Sequence, residues 1–156
     1  MSRQEFERRV LALTDRLHNI ALAILRNEAD CYDAVQEALI RAWMRLETLR
    51  QPQYFETWLI RILVNECKRG LAKRAKLETG ELLDSYPAYD TPDPEVIDAL
   101  HQLPVQHRLL LVLHFVEGYG IAECAQMLAV PKSTVKWRIH QGKKALAALL
   151  GKGVQS

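Results

Sequence analysis

Apolar residues recur three or four positions apart through most of this chain, and that spacing constrains the fold more than any other feature. In residues 1–26 the repeat forms one apolar stripe, made of Phe6, Val10, Leu13, Leu17, Ile20 and Ile24. Strand-like alternation is scarce, and the few glycines and prolines cluster at plausible helix boundaries. The pattern predicts an all-α protein.

Breaks in the repeat predict where the helices begin and end. Asn27 is a suitable N-cap for the second helix, and Pro52 interrupts the pattern before the third. The predicted helices span residues 1–26, 27–49, 55–76, 95–101, 104–117, 121–128 and 132–150. On the second helix we expect a buried side made of Val35, Leu39, Trp43 and Leu46, and on the third we expect Trp58 in the core.

Charge divides the chain into segments that its formal net charge of +2 conceals. Residues 77–100 carry seven acids and no Lys or Arg, whereas residues 131–156 carry six bases and no acid. Residues 77–94 also contain a glycine and three prolines, and their apolar residues have no clear period. We therefore expect two small helical domains, residues 1–76 and 95–156, joined by a flexible acidic linker, residues 77–94.

Several classes of protein are disfavoured. The three cysteines are far apart, and the histidines lack metal-ligand spacing, so we expect no disulfide framework, metal or cofactor. A Gly-rich phosphate loop and a nucleophile elbow are missing, which argues against an enzyme. The N-terminus lacks the apolar core of a signal peptide, so we expect a cytoplasmic protein without membrane insertion.

Residues 121–141 fit a helix-turn-helix. Cys124, Ala125 and Leu128 would face inward from its first helix, and Val135 and Ile139 from its second. The turn has Ala129 where a left-handed backbone usually requires glycine. The outer side of the second helix is polar and basic, which favours the DNA major groove, although plain helical bundles also contain such helix pairs. Taken alone, the uneven distribution of charge along the chain is explained equally well by ordinary solvated helix faces.

Three stretches of this sequence resemble the extracytoplasmic-function (ECF) sigma factors of the sigma-70 family. They read DAVQEALIRAW at residues 33–43, FETWLIRILVN at 55–65, and LPVQHR at 103–108 followed by GY at 118–119 and TVKWR at 134–138. The matches follow the family's order and spacing on both sides of the predicted linker. The resemblance implies an alternative sigma factor that binds core RNA polymerase and directs promoter-specific transcription.

The resemblance also implies roles for individual residues in the N-terminal half. The polymerase-binding set is Asp33, Gln36, Glu37, Ile40 and Arg41. The set for the −10 promoter element is Leu49, Arg61, Asn65, Lys68, Arg69 and Lys73, with Arg74 also expected on the DNA backbone. A simple intrahelical ion pair between Glu37 and Arg41 is an alternative to docking, and both can hold.

In the C-terminal half, the resemblance implies that the helix-turn-helix reads the −35 element. The expected contacts are Ser133, Thr134, Lys136, Trp137, Arg138, His140, Gln141 and Lys143. Trp137 could lie against DNA or pack back on its own domain. The acidic linker could mimic nucleic acid inside polymerase or act only as a solvated tether.

The family resemblance further implies an anti-sigma partner. The competing interpretation of the whole chain is a stand-alone helix-turn-helix regulator, which would account for the C-terminal half but not for residues 33–43 or 55–65.

Overall fold

The computed structural model describes residues 1–77 and 94–154, and these residues form two compact helical units, one on each side of the gap. Seven α-helices and short 3-10 or π-helical turns account for the regular structure of the described ranges, which contain no β-strand. The all-α prediction is therefore confirmed. Most of the predicted acidic linker, residues 78–93, lies outside the described residues, and the structure extends helices over Leu77 and Pro94 at its two ends.

Three helices form the first unit: α1 (Arg3–Leu25), α2 (Glu28–Met44) and α3 (Phe55–Leu77). The Ser2 hydroxyl caps α1 by accepting the Glu5 backbone N–H. The predicted Asn27 cap is confirmed, because its side chain accepts the N–H of Asp30. Helix α2 ends five residues before the predicted boundary at 49, and 3-10 turns at Leu46–Thr48 and Pro52–Tyr54 connect it to α3.

The core of the first unit lies where the three helices pack on one another. The predicted α1 stripe is confirmed, with Phe6, Leu17, Ile20 and Ile24 buried. The predicted buried side of α2 is wrong, because its buried residues are the small Cys31, Ala34, Ala38 and Ala42. Small side chains allow α2 to pack closely against α1 and α3. Trp43 of α2 is 45% exposed, and Trp58 of α3, which was expected in the core, is only half-buried.

The second unit contains α4 (Pro94–Gln102), α5 (Val105–Leu111), α6 (Ile121–Leu128) and α7 (Lys132–Val154). Helix α5 continues into a π-helical turn, Val112–Val116, in which the Glu117 N–H donates to the Val112 carbonyl at 2.9 Å. Helices α4, α5 and α6 all pack on α7, which runs four residues beyond its predicted end. The core of this unit therefore lies where α4, α5 and α6 meet the inner side of α7.

The helix-turn-helix is formed by α6, α7 and the turn between them. Ala129 has φ 55° and ψ 46°, so the left-handed conformation expected at this position is present without a glycine. The Glu123 carboxylate accepts the Gly120 N–H at 3.1 Å and helps to start α6. Inward packing of Cys124, Ala125, Val135 and Ile139 is confirmed, and Met127 is buried in place of the half-buried Leu128.

Candidate functional site

The outer face of α2 carries a mixture of polar and apolar side chains. Asp33, Gln36, Glu37 and Ile40 are all exposed, and Ile40 leaves 53% of its surface accessible. Two further exposed residues that the sequence interpretation did not select, Tyr32 and Met44, lie on the same helix. Exposed apolar residues among carboxylates are typical of a surface that binds another protein.

Arg41 differs from the other members of the predicted polymerase-binding set because it contacts α3. Its Nε lies 2.6 Å from Oε1 of Glu66, a carboxylate that is only 9% exposed. The same carboxylate oxygen accepts a hydrogen bond from Arg69 at 3.2 Å. Glu66 was missed at the sequence level, although a carboxylate on the apolar side of an amphipathic helix is a recognisable signal.

Trp43 borders a groove of 430 Å³ lined also by Arg3, Phe6 and Glu7. Its ring meets Phe6 edge-on with the ring centroids 5.2 Å apart, and Phe6 meets Phe55 at 5.7 Å. Trp43 therefore joins the edge of an aromatic cluster shared by all three helices, rather than the centre of the core.

Helix α3 has an apolar inner side and a basic outer side. Phe55, Leu59, Ile60, Leu63 and Cys67 are buried, each at most 2% exposed. The predicted −10 residues of this helix, Arg61, Asn65, Lys68, Arg69 and Lys73, are all exposed. Arg74 instead forms an ion pair with Asp30 of α2, so it fastens the two helices together. The exposed bases suit a nucleic-acid backbone.

The turn before α3, which contains Leu49 and Pro52, is held by α1. The Arg9 guanidinium donates to the Pro52 carbonyl at 2.6 Å, pairs with Glu5 at 2.9 Å and lies 5.7 Å from the centre of the Phe55 ring. Leu49 is half-buried beside the exposed turn. Arg9 was also missed, because Pro52 and Phe55, which it contacts at the start of α3, lie more than forty residues away in the sequence.

The outer face of α7 is polar along the part that follows the turn. Exposed positions are Ser133, Lys136, Trp137, His140 and Lys143, and half-buried positions are Thr134, Arg138 and Gln141. Between them the helix buries Val135, Ile139 and Gly142. The predicted −35 residues therefore occupy one outer face and its margins.

Two residues of this face have contacts within the second unit. Trp137 is 60% exposed and meets His107 edge-on at 6.1 Å between ring centroids, so part of its ring packs back while the greater part stays accessible. The Lys143 ammonium lies 5.3 Å from the ring centre of Phe115, which is itself exposed. Both aromatic contacts link α7 to the α5 side of this unit.

A buried polar network supports the helix-turn-helix. The Tyr119 carbonyl lies 2.8 Å from His114 Nδ1 and accepts a longer contact from Cys124 Sγ at 3.9 Å.

Gly142 was missed by the sequence interpretation: a Cβ at this position would lie 3.3 Å from Leu111 side-chain atoms, so glycine allows α7 to approach α5 closely. Its spacing of three from the buried Ile139 is the signal that could have identified it.

The cysteines are buried thiols. Burial raises the pKa of Cys31 to about 12 and that of Cys124 to about 11, so both remain protonated at neutral pH. Within the described ranges, no group of three or more His, Cys, Asp or Glu side chains could hold a metal ion. No helix in those ranges is long and apolar enough to cross a lipid bilayer.

Comparison with known proteins identifies both units. The family model for sigma-70 region 2 matches residues 10–77, and that for sigma-70 region 4 matches residues 94–146. The ECF RNA polymerase sigma factor SigM of Mycobacterium tuberculosis is 37% identical over 141 residues, which cover 87% of this chain and 72% of SigM. SigV of Bacillus subtilis is 28% identical over 151 residues, covering 92% of this chain and 91% of SigV.

Solved structures share this fold. The sigma factor RpoE of Bartonella quintana, crystallised with the anti-sigma factor NepR, has a TM-score of 0.83 at 22% identity and covers 95% of this chain and 98% of its own. CnrH, solved with the cytosolic domain of CnrY, has a TM-score of 0.74 at 25% identity and covers 97% of this chain and 90% of its own. On the sequence and family-model matches, this chain belongs to the ECF sigma factors of the sigma-70 family.

Proposed function

We propose that this alternative sigma factor docks on core RNA polymerase through the outer face of α2. Asp33, Gln36 and Glu37 offer carboxylate and amide groups, and the exposed Ile40 supplies an apolar anchor between them. Arg41 adds a planar cation at the border with α3, where Glu66 holds it. The observation that carries the functional assignment is the pair of sigma-70 region models, which match the two halves of the chain in order.

The first unit, proposed as residues 1–76, would also bind the −10 element once the promoter opens. An unpaired base requires a wall to lie against and a polar edge to read it, and the half-buried Leu49 with the exposed Asn65 offers both. Arg61, Lys68, Arg69 and Lys73 would neutralise phosphates of the displaced strand. Arg74 is assigned to structure instead, because of its ion pair with Asp30.

The second unit, proposed as residues 95–156, would read the −35 element. The N-terminal half of α7 would enter the major groove and place Ser133, Lys136 and Trp137 towards base edges. Arg138 is half-buried, so it would contact DNA from the margin of the face rather than from its centre. His140, Gln141 and Lys143 would follow along the helix, with the bases on phosphates.

We infer that the chain works in the cytoplasm, performs no chemical step itself, and is restrained by an anti-sigma factor. RpoE of Bartonella quintana was solved with an anti-sigma factor, and CnrH with a cytosolic domain. This chain offers such a partner exposed apolar side chains in both units, among them Ile40 and Met44 in the first and Phe115 and Val116 in the second.

Run-off transcription with purified core RNA polymerase on a genomic fragment library tests the proposal. The expected result is a limited set of transcripts that share a start-site motif and require both the chain and core enzyme. Substituting Asp33, Gln36 and Glu37 with alanine should abolish these transcripts, whereas substituting the exposed Ala29 and Ala72 should not. Transcription no different from that of core enzyme alone would overturn the proposal.

A further inference from the structure

Glu66 lies at the border between the two surfaces proposed for the first unit. It belongs to α3, yet its carboxylate faces α2 and is only 9% exposed. One oxygen, Oε1, lies 2.6 Å from Arg41 Nε and 3.2 Å from Arg69. A single buried carboxylate oxygen therefore contacts two guanidinium groups.

The two arginines point to different partners in the proposed function. Arg41 is a member of the polymerase-binding set and is about one-third exposed, whereas Arg69 is a member of the −10 set and is 60% exposed. Both side chains are only partly buried, and each guanidinium carries five N–H donors, so each has donors that Glu66 Oε1 does not engage. Charge-assisted pairing to a fixed carboxylate restricts the rotamers of both arginines before a partner arrives.

Burial makes this arrangement more than an ordinary surface ion pair. Exposed pairs contribute little because solvent screens them and because both side chains remain mobile. Glu66 is held in the α2–α3 interface, so its oxygen has a defined position relative to both helices. By contrast, Glu56 on the same helix pairs with Arg16 of α1 at 3.1 Å, and both of those side chains are well exposed.

We propose that Glu66 is a positioning residue that orients Arg41 towards core RNA polymerase and Arg69 towards the opened DNA strand. It couples the two binding surfaces because one carboxylate serves both arginines. The proposal rests on the proposed function, and it assigns Glu66 a role that neither surface reveals by itself. Loss of the carboxylate should therefore weaken both binding events, although Glu66 contacts neither partner directly.

Two double-mutant cycles in the full chain test this role. The first combines Glu66→Gln with Arg41→Gln and measures affinity for purified core RNA polymerase. The second combines Glu66→Gln with Arg69→Gln and measures binding of a labelled single-stranded oligothymidylate to the complex of the chain with core polymerase, corrected for core alone. We expect Glu66→Gln to weaken each affinity roughly threefold to tenfold, and to have almost no further effect once the matching arginine is absent.

Glu56→Gln is the matched control, since it removes a carboxylate from the same helix and breaks a different ion pair. It should leave both affinities within about twofold of wild type. Glu66→Asp is the second variant, because it keeps the charge in the interface while withdrawing the oxygens from both arginines. It should lose part of each affinity even though folding is preserved.

The outcomes separate this proposal from the proposed function. Wild-type chain that binds neither core polymerase nor oligonucleotide would overturn both. Normal wild-type binding combined with additive effects in both cycles would overturn the positioning role alone. Wild-type affinities in a folded Glu66→Asp variant would also overturn the positioning role. They would show that the position of the carboxylate oxygens does not matter for binding either ligand.

Discussion

Neutralising Lys68 and Lys73 together should make strand binding by the first unit measurably less sensitive to salt. Both side chains are exposed on the outer side of α3, where the −10 strand is proposed to lie. A cation that contacts a phosphate of single-stranded DNA releases a condensed counterion, and each such contact contributes about 0.7 to the slope of log affinity against log salt. The Lys68→Gln, Lys73→Gln variant should therefore lower that slope by about 1.4.

That change in slope is large enough to measure directly. Raising the salt fourfold, for example from about 50 to about 200 mM, should lower the DNA affinity of both proteins. The factor by which it lowers the wild-type affinity should be roughly seven times the factor for the double variant. The assay is fluorescence anisotropy of a labelled oligothymidylate, titrated with the complex of the chain and core polymerase at several salt concentrations. Affinity at the lowest salt should also be reduced, because two favourable contacts are lost.

Arg3→Gln with Arg8→Gln is the matched control for this experiment. It removes the same net charge from α1, where both arginines are exposed and paired with acids of that helix at 3.1 and 2.6 Å. The control should retain the wild-type slope. An unchanged slope in the α3 variant, or an equal reduction in both variants, would refute the assignment of phosphate contacts to α3.

Three other substitutions test the packing and the electrostatics. Ala129→Gly should stabilise the second unit by about 0.5–1 kcal/mol in thermal unfolding. The free energy gained by relieving the left-handed strain at φ 55° exceeds the free-energy cost of the greater unfolded-state entropy of glycine. A lower melting temperature would contradict this. Ala38→Leu should destabilise the chain by about 1–3 kcal/mol in urea, whereas the exposed Ala29→Leu should be near neutral. Hydrogen bonds from Arg8 and then Arg9 lower the pKa of Glu5 from 4.5 to about 2, so this carboxylate stabilises the fold above pH 4.5 and its contribution is lost as the pH falls towards 2. Glu5→Gln should flatten that part of the acid unfolding curve, and an unchanged curve would contradict the pairing.

Features governed by local interactions were predictable from the sequence. The α1 stripe, the Asn27 cap and the left-handed turn at Ala129 depend on neighbours within four residues, so periodicity and capping rules identify them. The outward position of Ser133, Lys136, Trp137, His140 and Lys143 followed from the same periodicity, once the buried Val135 and Ile139 fixed the orientation of α7.

Features governed by contacts between helices were not predictable in the same way. A hydrophobic stripe predicts that the largest apolar residues, such as Trp43, are buried. In α2, however, the helix packs so closely on its neighbours that the buried residues are the small Ala34, Ala38 and Ala42. The Arg41–Glu66 ion pair likewise depends on how α2 and α3 lie against each other, and no local rule specifies that arrangement.

Permanganate reactivity of promoter thymines shows directly whether the chain opens promoter DNA together with core RNA polymerase. One promoter obtained from run-off selection would be probed with the chain alone, with core RNA polymerase alone, and with both together. We expect reactive, unpaired thymines around the −10 element only when both are present, and loss of this reactivity when Asn65 and Arg61 are replaced by alanine. Tight, sequence-specific duplex binding by the chain alone, with no strand opening when core polymerase is added, would contradict the proposed sigma-factor mechanism and favour a stand-alone helix-turn-helix regulator.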